Sequence, residues 1–215
     1  MVAVIKGDII ASRKLAEPAQ WLHPLKKLLS SWGNTPKQWE LVWGDFFQLE
    51  IPHPEQALHK ALSIKALIKK IGAADSPKKY SPIDVRMAVG IGEKTFSGKR
   101  ISESNGPAFI HAGEKFDTLK KQKINLAIQS PWPNFDNEIN LYLRLAGIVM
   151  DSWSLSSAEL MEIVLQQPDV TQEEIGKQLG IKQNSVSGRW NRAKAEEILE
   201  IEQVYRTKLK QRIAL

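Results

Sequence analysis

The stretch TQEEIGKQLGIKQNSVSGRWNRA, residues Thr171–Ala193, decides the architecture of the C-terminal part of the chain. Thr171 and Glu174 have the spacing of a capping box, in which each side chain hydrogen-bonds a free backbone N–H of the other residue. Gly180 then supplies the left-handed backbone conformation that ends a helix. The sequence therefore predicts two short helices joined by a glycine turn, which is the layout of a helix-turn-helix.

The two predicted helices each have an inward and an outward face. Ile175 and Leu179 lie four residues apart in the first helix, so both are expected to face inward. The second helix is expected to begin at about Gln183, and its apolar face carries Val186, Trp190 and Ala193. The outward positions are small or amide-bearing: Gln183, Asn184, Ser187, Gly188 and Asn191. A second helix with such a face fits the major groove of DNA.

A basic window coincides with this second helix. No acidic residue occurs from Ile175 to Ala195, whereas acidic residues cluster on both sides of that window. Its cations are Lys177, Lys182, Arg189, Arg192 and Lys194. We expect phosphate contacts from Lys182, Arg189, Arg192 and Lys194, and base contacts from Gln183, Asn184, Ser187 and Asn191. The alternative is an ordinary helical hairpin whose basic face is only solvated.

The run LG-I-x-x-x-x-VS-x-x-x-x-RA resembles the helix-turn-helix of many bacterial regulators and sigma-like factors. The resemblance covers roughly a tenth of the chain, and it implies a duplex DNA partner and a role as a transcriptional regulator. Since two half-sites double the phosphate and base contacts, we also expect a homodimer. The apolar spacing continues through Ile198, Ile201, Tyr205 and Leu209, which predicts a long terminal helix that packs on the rest of the chain or pairs with a second copy.

Size and composition limit the classes to which the chain belongs. Its 215 residues suit one large domain or two small ones, and an apolar fraction of 42% allows packed cores. The absence of cysteine excludes disulfides and thiolate metal sites and fits a reducing compartment. Because the N-terminus lacks the layout of a signal peptide and no uncharged run is long enough to span a bilayer, we expect a soluble cytoplasmic protein.

The formal charge of +6 is unevenly distributed. Residues 151–215 contain nine Lys or Arg and ten Asp or Glu, so residues 1–150 carry a net charge of +7. Either this first part also contacts a polyanion, or it has a lysine-rich surface with no such partner.

Residues 1–150 alternate between predicted strands and helices. Strands are predicted at Val2–Ile10, on both sides of a turn within Gln38–Ile51, at Ile83–Gly92 and at Ile124–Gln129, with alternating Trp39, Leu41 and Trp43 in the first arm of the hairpin. Helices are predicted at Ala19–Ser31, Pro54–Ile71, Gly106–Lys121 and Asn134–Val149. We therefore predict an α+β fold in which a ferredoxin-like (βαββαβ) domain, residues 1–150, precedes an all-α helix-turn-helix domain, residues 151–215.

Two Gly-Asp steps mark candidate metal ligands. Asp8 lies near the end of the first strand, and Asp45 lies at the tip of the predicted hairpin. Because those strands are neighbours in a βαββαβ sheet, the two carboxylates are expected to meet at one edge. There they would hold Mg²⁺ and, through it, a nucleotide triphosphate. The alternative is that both residues only stabilise turns, since Gly-Asp is a common turn dipeptide.

This layout resembles the catalytic domain of class III nucleotide cyclases and their palm-fold relatives. The likeness includes RMAVGIGE at Arg86–Glu93 and GPAFIHAGEK at Gly106–Lys115. The resemblance implies a metal-dependent nucleotide-binding or nucleotidyl-transfer enzyme that uses Asp8 and Asp45. The cyclase helix usually carries an Asn and, four residues later, an Arg, but this chain has Ile110 and Glu114. A carboxylate at the arginine position repels developing negative charge, which argues against cyclisation.

The whole sequence also resembles the SatD family of bacterial proteins. MVAVIKGDIIASRKL at the start, WGDFFQ in the middle and the C-terminal helix-turn-helix carry this match over nearly the full length. The family is commonly described as regulators, so the resemblance implies an architecture more than a mechanism.

Overall fold

The computed structural model describes residues 1–42, 44–72 and 79–214. Its strands are β1 (Val2–Ile10), β2 (Trp39–Val42), β3 (Phe46–Ile51), β4 (Asp84–Gly92) and β5 (Leu126–Gln129). Its helices are α1 (Ala19–Ser30), α2 (Ala57–Lys69), α3 (Pro107–Gln122), α4 (Pro133–Met150), α5 (Leu155–Gln166), α6 (Gln172–Leu179), α7 (Gln183–Ala193) and α8 (Ala195–Ile213). Trp43, which was expected to continue the alternation of the hairpin, lies outside the described residues.

The strands form one sheet in the order β2-β3-β1-β4-β5. β1 is antiparallel to both of its neighbours, and β2 is antiparallel to β3. β5 runs parallel to β4, and α3 makes the crossover connection between these two strands. The chain is therefore a mixed α and β protein, as the sequence predicts.

Both faces of the sheet carry helices. Ile5 and Ile9 of β1 belong to the buried cluster that includes side chains of α1 and α2, whereas Val4 belongs to a cluster with Phe109 and Ala112 of α3. Because side chains alternate along a strand, α3 must cover the face opposite to α1 and α2. Its contact with the sheet requires Gly90, since a Cβ there would lie 2.1 Å from the carbonyl oxygen of Ala108.

Helix α4 covers the β5 edge of the sheet. The Asn140 side chain accepts a hydrogen bond from the backbone N–H of Ile128 (2.8 Å) and donates one to the carbonyl oxygen of the same residue (2.9 Å). These bonds replace the strand partner that an edge strand otherwise lacks. The side of α4 that faces away from β5 is thereby left on the surface.

The C-terminal helices pack onto the first part of the chain. α5 contacts both α2 and α7, and one buried apolar cluster includes Ile5 of the sheet as well as Ile175 and Val186. The buried Tyr205 of α8 donates a hydrogen bond to the carbonyl oxygen of Pro54 (2.8 Å). The division of the chain at residue 150 remains a prediction, since this hydrophobic core continues across that position.

A polar cluster lies at that same position. The buried ammonium group of Lys65 contacts the carboxylates of Asp84 (2.6 Å) and Asp151 (2.5 Å). Lys69 donates a hydrogen bond to the backbone carbonyl of Asp151 (2.8 Å), and the Asn125 amide donates one to its carboxylate (2.9 Å). Asp151 is thus linked to α2 directly, to β4 through Lys65, and to Asn125, the residue before β5.

The helical pattern after residue 150 differs from the sequence-based expectation at two points. The helix α5 was not predicted, although Ser154 caps its start by accepting a hydrogen bond from the N–H of Ser157. In addition, α7 and α8 are separate helices, since Lys194 between them has a left-handed backbone (φ 55°). Among the described residues, no helix combines the length and the apolar character that crossing a membrane requires.

Candidate nucleic-acid interface

The segment α6–Gly180–α7 is built from local signals. The Thr171 backbone N–H donates to a carboxylate oxygen of Glu174 (2.8 Å), and the Glu174 N–H donates to the Thr171 hydroxyl (3.2 Å), which confirms the predicted capping box. Gly180 has φ 64° and ends α6 as predicted. The N–H of Ile181 then bonds back to the carbonyl oxygen of Gly176 (3.0 Å). These contacts set the direction in which α7 leaves the turn.

The close packing of α7 against α6 depends on Gly176. A Cβ at this position would lie 2.9 Å from the carbonyl oxygen of Ile181 and 3.6 Å from a methyl group of Val186. The first distance is too short for a real contact with backbone, so only glycine fits without a shift of the turn. This requirement was not recognised in the sequence, where the only signal was a glycine inside a helical pattern.

Helix α5 completes a three-helix unit with α6 and α7. The Trp153 indole N–H, immediately before α5, donates to the carbonyl oxygen of Ala193 at the end of α7 (2.9 Å). Arg189 of α7 pairs with Glu159 of α5 (2.7 Å). Val186 and Ala193 are fully buried between the helices, and Trp190 packs partly buried beside them. The inward face of α7 is therefore fixed by both neighbouring helices.

The outward face of α7 carries the predicted base-reading residues. Gln183, Asn184 and Asn191 are exposed, while Ser187 and Gly188 are partly buried. The main helix neighbours of α7 are α5, α6 and α8, and the buried residues of α7 are Val186 and Ala193 of its inward face. The predicted amide-bearing surface thus lies at the exterior of the molecule.

The cations of the basic window differ in how they are paired. Arg189 is mostly buried against Glu159, with 19% of its side chain exposed. Two exposed pairs are local, Lys177 with Glu173 (2.8 Å) and Lys194 with Glu197 (3.1 Å). Within the described ranges, Lys182 and Arg192 form no ion pair, and both are exposed. They flank the amide-bearing surface at the beginning and near the end of α7.

The start of α7 adds backbone donors to this surface. No described side chain caps the helix at Lys182, although a helix begins with backbone N–H groups that have no partner within the helix. Such N–H groups, together with the helix dipole, favour an anion such as a phosphate. Lys182 lies at the same end of the helix and adds a formal positive charge.

Asp8 and Asp45 lie beside each other, in a mixed electrostatic environment. Asp8 lies inside β1 and opposite Phe46, and the N–H of Ile9 donates to the backbone carbonyl of Asp45 (3.1 Å). The Asp45 carboxylate accepts a hydrogen bond from the Ser12 hydroxyl (2.9 Å). Burial and then the neighbouring Asp45 carboxylate raise the pKa of Asp8, whereas the nearby Arg86 and Lys120 side chains lower it.

Two neighbouring carboxylates fit Mg²⁺, which binds through one or two carboxylates and keeps several waters. Arg86 lies 3.7 Å from the Asp8 carboxylate, so its positive charge offsets part of the negative charge that a metal ion requires. Among the described residues, no group of three or more His, Asp or Glu side chains is arranged to hold a metal ion. Ile110 is exposed, and the Glu114 carboxylate accepts a hydrogen bond from Gln129 (2.7 Å). Neither residue supplies a positive group to this pair.

These features define a mixed α and β chain whose C-terminal helices present one polar, cationic outer face. The chain belongs to the SatD family, whose family model matches residues 1–209. A comparison with curated proteins found no significant match.

Proposed function

We propose that this protein is a DNA-binding transcriptional regulator in which α7 enters the major groove of duplex DNA. The observation that carries the proposal is the outward face of α7, where the exposed amides of Asn184 and Asn191 lie between two unpaired described cations, Lys182 and Arg192. Asparagine and glutamine amides pair with adenine edges, and such cations bind phosphates. The rigid attachment of α7 to α5 and α6 supports this role, because a reading helix must be held in one orientation.

Each predicted contact residue has a specific role in this proposal. Gln183, Asn184, Ser187 and Asn191 read base edges, and Lys182 and Arg192 bind the flanking phosphates. Lys194 contributes at the end of α7 by exchanging its exposed partner Glu197 for a phosphate. Arg189 is assigned to positioning α7 through Glu159, since its guanidinium is mostly buried in that pair.

The first part of the chain acts in this proposal as a sensor or an assembly platform. We interpret this part as ferredoxin-like, and the strand order β2-β3-β1-β4 with antiparallel pairing throughout supports that interpretation. The helix-turn-helix domain is proposed to comprise residues 151–215, and the homodimer and the cytoplasmic location belong to the same proposal. A regulator of this kind requires the two parts to communicate, and the contact of α2 with α5 is a direct connection between them.

The test is the salt dependence of binding to a fluorescently labelled mixed-sequence duplex, followed by anisotropy. The Lys182→Ala/Arg192→Ala variant removes two phosphate contacts, so the slope of log affinity against log salt should fall by about 2. The matched control is Lys26→Ala/Lys121→Ala, which removes the same charge from exposed positions in α1 and α3. This control should retain nearly the wild-type slope.

The same pair of variants distinguishes this proposal from non-specific attraction. The first 150 residues carry most of the positive charge, so binding that depends only on net charge would weaken equally in both double variants. Equal losses would therefore refute a role for α7, as would unchanged binding by the Lys182→Ala/Arg192→Ala variant.

A second candidate function is metal-dependent nucleotide binding or nucleotidyl transfer at Asp8 and Asp45. The specific observation in its favour is that Asp8 of β1 lies beside Asp45, in the turn that precedes the adjacent strand β3, and that Asp8 is partly buried. The test is incubation with ATP or GTP and Mg²⁺ or Mn²⁺, followed by chromatography. Product formed by the wild type and lost in Asp45→Asn would support this function, and the absence of product from the wild type would count against nucleotidyl transfer.

A further inference from the structure

The outer face of α4 carries a stripe of exposed apolar side chains. Leu141, Leu145 and Ile148 are 46%, 57% and 73% exposed. Their spacing of four and then three residues places them on one side of the helix. The other exposed large apolar side chains of the described residues lie singly on different segments, at Met1, Tyr80, Phe96, Ile110 and Ile213. Such a cluster on a surface helix marks an interaction site.

This stripe is not needed to attach α4 to the rest of the chain. The inner face of the helix buries Ile139, Leu143, Ala146 and Met150, and Asn140 bonds the edge strand β5. An amphipathic helix normally places polar residues on the face opposite to the core. α4 instead has a second apolar face, for which the described part of the chain supplies no cover.

The charges beside the stripe are self-complementary. Arg144 and Asp151 are seven residues apart and therefore flank the stripe on the same side. Within the described residues, Arg144 forms no ion pair, and it is exposed. The carboxylate of Asp151 is 39% exposed even though it contacts Lys65. In an antiparallel helix pair with a two-fold axis, the same flank of each helix lies on the same side of the interface, and the two flanks run in opposite directions. Arg144 of one copy then lies opposite Asp151 of the other.

Pairing of Arg144 with Asp151 of the second copy fixes the centre of the helix pair. It places the two-fold axis at the level of Gly147 and Ile148, so Ile148 packs beside Ile148 of the other copy. A Cβ added at Gly147 would meet nothing within 4 Å in the single chain, so the space above it is open. A groove of about 260 Å³ beside Gly147 is lined by Arg144, Ile148 and Asp151. We propose that a second copy of this chain docks on the outer face of α4 as an antiparallel helix pair.

The area of the stripe sets the strength of this pairing. An 18-residue helix is about 27 Å long and about 10 Å wide, so one face offers about 270 Å² per partner. A stable interface buries about 800 Å² per partner. The pair is therefore a weak, concentration-dependent dimer, and it forms without DNA, so it does not rest on the proposed function.

The test is sedimentation equilibrium without DNA over a concentration series that extends to hundreds of micromolar. The wild type should increase in average mass above the 24.2 kDa of one chain as its concentration rises. Ile148→Glu places a charge beside the two-fold axis of the helix pair and should weaken the dimer at least tenfold. The control Gln122→Glu adds the same charge at an exposed position of α3 and should associate like the wild type.

Disulfide formation tests the register, because the chain contains no cysteine. Ile148→Cys lies next to the two-fold axis. The Cα atoms of the two cysteines should therefore come within about 4.4–6.8 Å, the separation that a disulfide needs. Leu141→Cys lies about 20 Å from its counterpart along the helix pair and should not cross-link. A wild type that remains monomeric at all concentrations, equal loss of association in both glutamate variants, or equal cross-linking at both cysteines would overturn the proposal.

Discussion

The outer faces of α7 and α4 are both on the surface, but they have opposite chemistry. The outer face of α7 presents amides and two cations without described ion-pair partners, whereas its large apolar side chains, Val186 and Trp190, lie on the inner face. The face of α4 presents Leu141, Leu145 and Ile148 with Arg144 beside them. The difference shows that exposure alone does not identify a partner. A polar cationic face suits a polyanion, whereas an apolar face with balanced charges suits another copy of the same surface.

The largest contrast between the two kinds of face is expected in the free energy of unfolding, when an isoleucine on an inner face and one on an outer face are each replaced by alanine. Ile175 of α6 is fully buried, and its replacement by alanine should lower the free energy of unfolding by about 2–5 kcal/mol. Ile148→Ala on the outer face of α4 should change it by less than about 0.5 kcal/mol. Urea denaturation at low protein concentration measures both. A large loss for Ile148→Ala would mean that this face serves the fold of the single chain.

Replacement by alanine at two helical glycines should change the stability of the fold in opposite directions. Gly176→Ala places a methyl group 2.9 Å from the carbonyl oxygen of Ile181, and this overpacking should cost about 1–3 kcal/mol. Gly147→Ala enters open space, so the higher helix propensity of alanine should stabilise the chain by about 0.5–1 kcal/mol. Thermal denaturation of the two variants provides the comparison. Stabilisation by Gly176→Ala would contradict the close packing of α6 on α7.

Two arginines of α7 should separate stability from binding. Arg189→Ala breaks the pair with Glu159 and should lower the free energy of unfolding by about 1 kcal/mol, with the salt slope of DNA binding nearly unchanged. Arg192→Ala should leave stability within about 0.5 kcal/mol and lower that slope by about 1. Urea titration and anisotropy on the same two variants test this. Equal slopes for the two variants would remove the distinction between paired and free cations.

Asp8 lies on neither face and should have the smallest effect. Its pKa is raised above the usual 3.8 by burial and by Asp45, so protonation favours the folded state and stability falls as the pH rises through the raised value. Asp8→Asn should therefore unfold at a slightly higher urea concentration than the wild type at neutral pH. The difference should vanish below the usual carboxyl pKa. If the pair binds Mg²⁺, adding the ion should stabilise only the wild type.

The sequence predicted those features that depend on neighbouring residues along the chain. The Thr171–Glu174 box and the Gly180 turn are local, and the structure confirms both. α5 was missed although its signals are local: Ser154 caps its start, and the buried Ser157, Leu160, Met161 and Val164 have the i, i+3, i+4, i+7 spacing of one helix face. The break at Lys194 has no local signal, since lysine rarely adopts a left-handed backbone.

The candidate surfaces were predictable only in part, for a related reason. The basic window is visible in the sequence, but the division between paired and free cations depends on contacts such as Arg189 with Glu159, which lie thirty residues apart. The sequence of α4 also does not show which of its two apolar faces is buried and which is exposed. Both faces are apolar, and only the position of β5 shows which of them is covered.

The most direct test of the central claim is the labelling rate of a single cysteine in this cysteine-free chain. Asn184→Cys and Leu145→Cys should react with a maleimide at similar rates when the protein is dilute and alone, because both positions are exposed. Saturating duplex DNA should slow the labelling of Asn184→Cys at least tenfold and affect Leu145→Cys much less. Equal protection of both positions, or no protection of Asn184→Cys while DNA is bound, would contradict the assignment of α7 as the DNA-reading helix.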